Sequence, residues 1–244
     1  MSLSRTLYGL SQSPWTERAR WALDHHDVAY GYHEHVPMLG EVLLRMKART
    51  MRASVPLLAD GDEVVMGSVE IARHAERIGR GASLFPRDQD AEIARWVDAG
   101  ERMLGVGRAC FMKRFLANKG AQTEALPMFV PGGVRGALAP SAAMAVRFLM
   151  KKYDVPDDVE ARIEHTVRPI LHDVRAALSK GAYLLSPATF SVADIVMASA
   201  LHVVRPHASA KLGPCTREAW TNEALVRDFG DLLEWRDTIY DKHR

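Results

Sequence analysis

Only two cysteines, Cys110 and Cys215, occur in 244 residues, far apart and in no CxxC arrangement. That excludes a disulfide framework and a cysteine-based zinc site, and it fits a reducing cytoplasm. An excess of one charge is also missing: 32 basic and 30 acidic residues leave a formal charge of +2, with no dense Lys/Arg run, so no nucleic-acid partner is expected. Any anionic ligand must be held by local groups. Long apolar runs are absent too. The most apolar late stretch, Ile195 to Val204, is far too short to span a bilayer and follows Asp194, so no membrane association is expected. The N-terminus has no basic and apolar regions of a signal peptide, and Met1-Ser2-Leu3 reads as an expression remnant. The remainder is ordinary for a soluble, cytoplasmic protein: 48% hydrophobic and 25% charged residues supply a full core, and the length suits two domains.

Residues 5 to 80 alternate strand-like and helix-like patterns in the order βαβαββα. Thr6 to Leu10 reads as a strand. A helix follows from Pro14 to about His26, with Trp15, Ala19, Ala22 and Leu23 near one stripe. Val28 to Glu34 is a second strand; His33 and His35 flank Glu34 on one face and are expected to face solvent rather than a metal. Leu39 to Thr50 reads as a helix carrying Arg45, Lys47 and Arg49, with Arg52 beyond, a solvated basic face. Ser54 to Leu58 opens a third strand in which Pro56 is a candidate for a cis peptide. Asp60-Gly61-Asp62 is a hairpin turn into the strand Glu63 to Met66, and Gly67-Ser68 opens a helix to about Gly79.

Gly, Ser, Pro and charge mark a linker over 81–88, dividing a first domain, 1–80, from a second, 89–244. Strand signals then vanish. Ile93, Val97, Gly100, Leu104, Gly107, Phe111 and Phe115 recur at helical spacing. The two glycines in that stripe each cost about 1 kcal/mol against alanine, which implies close approach of another element. Pro127, Pro131, Gly132, Gly133 and Pro140 predict an irregular excursion over 121–140, with helix resuming from Ser141 to Lys152. A further helix is expected from about Asp157 to Lys180, kinked at Pro169. Phe190-Ser191-Val192-Ala193-Asp194-Ile195 is a structural capping box, Ser191 and Asp194 bonding reciprocally and Phe190 stapling onto Ile195.

The turn Leu10-Ser11-Gln12-Ser13-Pro14 places a hydroxyl at a helix start. Free N–H groups and the positive dipole end favour a thiolate or carboxylate there, and Ser13 can add a hydrogen bond. Equally, Ser13 can simply cap the helix, with Pro14 in the first helical position.

Taken together, Ser13-Pro14-Trp15-Thr16 with Arg18-Ala19-Arg20, Val55-Pro56, Gly67-Ser68 and the Phe190 to Asp194 box resemble the cytosolic glutathione transferase superfamily. The likeness is to a serine-type, theta- or omega-like member of bacterial style. It covers nearly the whole chain and implies an α+β fold: a thioredoxin-like βαβαββα domain followed by an all-α helical bundle. It also implies glutathione as co-substrate, a small hydrophobic electrophile as acceptor, no metal, and a homodimer. In that family the residue matching Ser13 activates the glutathione sulfur, the one matching Val55, beside Pro56, pairs its backbone with the cysteinyl part, and the hydroxyl matching Ser68 holds the γ-glutamyl carboxylate. Tyr8 and Ser11 are alternative hydroxyls. Gly67 stands where many members have an acid. One of Arg45, Lys47, Arg49 and Arg52 would lie near the glycyl carboxylate. Trp15, Met103, Gly107, Cys110 and Arg114 are candidates for the acceptor pocket.

The chemistry needs the thiolate, because the thiol is a poor nucleophile. A thiol of pKa near 8.5 is about 3% ionised at pH 7, and lowering it by about two units takes roughly 2.7 kcal/mol. A hydroxyl and a helix dipole can supply that. Serine at 13 cannot form a mixed disulfide, which favours conjugation over thiol-disulfide reduction. A lyase, isomerase or peroxidase reaction, or a binding protein without catalysis, remain open alternatives.

Overall fold

A computed structural model describes residues 5–126, 130–156 and 158–244. The expectations for Met1-Ser2-Leu3, Pro127 and Asp157 lie outside the described residues. The chain begins with β1 (Arg5–Gly9), α1 (Pro14–His25), β2 (Gly31–Glu34), α2 (Glu41–Ala48), β3 (Leu57–Asp60), β4 (Glu63–Met66) and α3 (Ser68–Ile78). The sheet order is β2-β1-β3-β4, with β1 parallel to β2 and antiparallel to β3, and β3 antiparallel to β4. This is the expected βαβαββα unit.

The period-2 alternation of strand side chains sorts the sheet faces. Leu7 and its partner Leu58 point to one side, where Ala19 and Leu23 of α1 and Ile71 and Ala75 of α3 cover them. Tyr8 and its partner Leu57 point to the other, packing with Leu44 of α2 and with Ala53. The histidine pair does not share one environment: His33 is exposed beside the Tyr8 ring, while His35, just past β2, is buried with Nε2 3.5 Å from Glu41.

The rest is helical: α4 (Asp90–Ala117), α5 (Lys119–Glu124), α6 (Gly132–Lys152), α7 (Val159–Arg162), a π-turn (Ile163–Val167), α8 (Arg168–Leu178), α9 (Val192–Ala200) with a 3-10 turn to Val203, α10 (Pro214–Trp220), α11 (Glu223–Asp228) and α12 (Gly230–His243). No described helix is long and apolar enough to cross a membrane. The apolar stretch at 192–200 is instead the centre of the helical core, with every residue buried against α4, α1 and α12. Glycine explains how α4 comes so near: a Cβ at Gly100 or Gly107 would overlap Val196 or Val203.

One expectation changes and another is sharpened. The irregular excursion over 121–140 is largely helical, because α6 starts at Gly132 and carries Pro140 within it, where flanking Ala and Leu residues sustain the helix. The helix expected from about Asp157 to Lys180 runs without a break over 159–178, and its irregularity is a π-turn over 163–167 directly before Pro169, which accommodates the missing N–H.

At the start of α9 the Asp194 carboxylate accepts from the Ser191 N–H (2.9 Å), the Ser191 hydroxyl (2.8 Å) and the Leu184 N–H (2.8 Å). Phe190 stacks on His243 at 3.9 Å, linking this cap to α12. Burial nevertheless pushes the Asp194 pKa up to about 6. Truncation strands buried donors, so Asp194→Ala is expected to lower stability by about 2–4 kcal/mol in chemical denaturation. Its proton is held more tightly folded than unfolded. Its contribution is therefore full below the ordinary 3.8 and declines as pH rises through about 6, a slope that Asp194→Asn should remove.

Candidate active site

Three hydroxyls compete in the first turn, and the fold gives each a different fate. Tyr8 alternates onto the α2 face of the sheet, where its ring is 9% exposed. Ser11 is tied to Glu34, which accepts its N–H (3.0 Å) and its hydroxyl (3.3 Å) while also accepting from the Tyr32 hydroxyl (2.9 Å). Ser13 is extended (φ −85°, ψ 127°) just before Pro14; its N–H donates to Leu10 O and its carbonyl accepts from the Glu17 N–H, both at 2.9 Å. Its side chain makes no capping bond. Ser13 is thus the N-cap by position but not by hydroxyl, which stays free at the positive end of a 12-residue helix. A cavity of about 380 Å³ opens beside it, walled also by Ser11, Arg20, His202, Lys211 and Tyr240. That volume lies within the roughly 300–1,000 Å³ of ligand pockets.

One turn further along α1, Arg18 is fully buried. It donates to Glu101 on α4 (2.6 Å), to the Ser199 hydroxyl on α9 (3.2 Å) and to the Ser68 hydroxyl at the start of α3 (3.3 Å). The other Glu101 oxygen accepts from the Trp15 indole N–H at 2.7 Å. Burial pulls the Arg18 pKa down, and Glu101 acts against it. A charge on the inward face of α1, among Trp15, Ala19 and Ala22, was the sequence signal for this network. Its partner could not be named without the fold.

The remaining glutathione-site candidates gather at the junction of β3, β4 and α3. Val55-Pro56 is a cis peptide, and the Pro56 carbonyl accepts from the Gly67 N–H at 3.1 Å. Gly67 has φ of 104°, a conformation that favours glycine, and a Cβ there would overlap the Glu70 carboxylate. An acid three residues on therefore lies against the position that lacks one. Ser68 is buried, its hydroxyl already engaged by Arg18. On α2 and just after it, Lys47, Arg49 and Arg52 are exposed.

The acceptor-pocket candidates do not come together. Trp15 sits at the α1–α4 junction, but Met103 and Cys110 are buried in the helical core and Gly107 abuts Val203. Arg114 donates to Thr221 O at 2.7 Å, at the far end of α4. Burial pushes the Cys110 thiol up to about 11, and that residue packs as a small apolar group. Helical spacing identified a real stripe, but it is the stripe facing α9. The opposite edge of α4, with Glu101 and Arg108, faces Trp15.

Residues 7–82 match the family model of the glutathione S-transferase N-terminal domain. No curated protein matches the sequence. Among solved structures, the β-etherase LigF from Sphingobium sp. strain SYK-6 is similar at TM-score 0.63 and 17% identity, covering 97% of this chain and 94% of that one. Glutathione transferase GSTFuA2 from Phanerochaete chrysosporium is similar at 0.62 and 15%, covering 98% of each chain. FzlA from C. crescentus is similar at 0.57 and 18%, covering 96% and 87%. At these identities the structures establish a shared fold. The match over residues 7–82 makes the first domain similar to the glutathione S-transferase N-terminal domain, and the chain as a whole shares the fold of these structures.

Glu101→Gln leaves the Arg18 charge buried without a counter-ion, and it is expected to cost about 3 kcal/mol in a denaturant titration. A cost below about 1 kcal/mol would show that the pair is screened as a surface bridge is.

Proposed function

We propose that this protein is a glutathione transferase-like enzyme in which Ser13 activates the glutathione thiol for attack on a small electrophile. The observation that carries this reading is the free Ser13 hydroxyl at the α1 N-terminus; the cavity beside it is lined by none of Val55, Pro56, Gly67 and Ser68 and does not bear on it. Tyr8 is enclosed in its cluster and Ser11 is committed to Glu34, so Ser13 alone of the three candidates combines a free hydroxyl with the end of a helix.

In the reaction the thiol loses its proton to solvent, and the Ser13 O–H and the α1 dipole stabilise the sulfur anion. The thiolate then forms a C–S bond at the electrophilic carbon as the leaving group departs with its electron pair. Val55, two residues before β3, offers its backbone to the tripeptide. Ser68 and the α3 N-terminus face its γ-glutamyl carboxylate, and Glu70 supplies the acid absent at Gly67. The family resemblance adds a homodimer.

Ser13→Ala is expected to abolish the ultraviolet thiolate absorbance that appears on adding glutathione and to lower kcat/KM for a nitroaryl halide about 100-fold, with little change in stability. An undiminished thiolate signal overturns the role of Ser13.

A second reading, a member of the fold that binds without catalysing, draws on the Ser68 hydroxyl being occupied by Arg18. Calorimetry decides between them: absence of heat at millimolar glutathione selects the binding protein.

A further inference from the structure

Arg108, on α4 two turns beyond Glu101, is the guanidinium for which neither the fold nor the proposed chemistry has a use. Its central carbon lies over two rings, 3.8 Å from the Tyr153 centroid and 5.1 Å from that of Trp15. Its Nε is buried without a hydrogen-bond partner. Its terminal nitrogens make no hydrogen bond or ion pair to a described residue and, unlike Nε, are not sealed from solvent. The carboxylate that acts on it, Glu101, has one oxygen on Arg18 and the other on Trp15. Lys152, next to Tyr153, is paired with Glu41 (3.0 Å), so that carboxylate is already matched. Two guanidinium groups therefore meet one carboxylate at this junction, and Arg108 is the one left over the aromatic rings without an ion pair to a described residue.

A half-buried cation is costly unless paired, and the planar fork of arginine matches a carboxylate or sulfonate through two parallel hydrogen bonds. Trp15, two residues after Ser13, brings this fork against the helix whose N-terminus carries the proposed nucleophile site. We propose that Arg108 is a specificity residue for the acceptor, binding the carboxylate or sulfonate of an anionic aromatic electrophile at the α1–α4 junction. The proposal rests on the transferase reading for the word acceptor, but not for the anion site itself. In the reaction the acidic group is a spectator: the thiolate displaces a halide elsewhere on the ring, and the carboxylate keeps its charge on Arg108.

The test is calorimetry with 4-nitrobenzoate and with its neutral methyl ester, on the intact protein, with glutathione titrated separately. The native protein is expected to bind the anion at least about tenfold more tightly than the ester, Arg108→Gln to lose that preference, and Arg108→Lys to retain part of it. Equal affinities for the two probes, or a preference unchanged in Arg108→Gln, overturn the proposal. If Arg108→Gln does not fold, the native preference is read in high salt, where it must shrink; a salt-independent preference overturns it equally. Anion preference without glutathione binding would keep the Arg108 site and remove the transferase reading, while glutathione binding without anion preference would do the reverse.

Discussion

The structure depends on where it puts the charge of Arg18. A guanidinium with no exposed surface must be matched or it costs several kcal/mol, and the groups that match it come from α3, α4 and α9 at once. That requirement fixes the rotation of α1 about its axis and docks the sheet unit on the helical unit. It also draws the Trp15 indole to the same carboxylate. The end of α12 completes the clamp: the Trp21 indole donates to His243 O (2.8 Å), and Arg244 pairs with Glu17 (2.7 Å) and Asp24 (2.6 Å).

The division of labour among the hydroxyls follows from the sheet. Strand alternation sends Leu7 and Tyr8 to opposite faces, so Tyr8 belongs to the packing of α2. Ser11 lies close enough to β2 to be held by Glu34. Ser13, past the turn and at the beginning of α1, is beyond the reach of both arrangements. A single hydrogen-bond donor at a helix terminus is a modest device, but thiol activation asks only for roughly 2.7 kcal/mol.

Much of the fold was legible because its signals are local. The α1 stripe, the Asp60-Gly61-Asp62 hairpin, the Gly67-Ser68 helix start and the Ser191 to Asp194 box each declare an element within a few residues, and each element is present. The sheet order could be inferred only through resemblance. The 121–140 stretch misled because Gly132, Gly133 and Pro140 outweighed the alanine-rich helix that contains them. The acceptor pocket misled for a different reason: periodicity finds the apolar face of α4, and an apolar face in a helical bundle is turned inward. The polar edge of α4, where Glu101 meets Trp15 and Arg108 lies over its ring, carries no periodic signature and becomes visible only when α1 is in place.

The central claim is that the α1 turn presents Ser13 to a bound thiol. A crystal of the protein soaked with glutathione tests it most directly. The account predicts the cysteinyl sulfur within hydrogen-bonding reach of the Ser13 hydroxyl, about 3–3.5 Å, with the peptide backbone along Val55. A sulfur resting instead on Ser11 or Tyr8, or a tripeptide bound away from the α1 terminus, would contradict it.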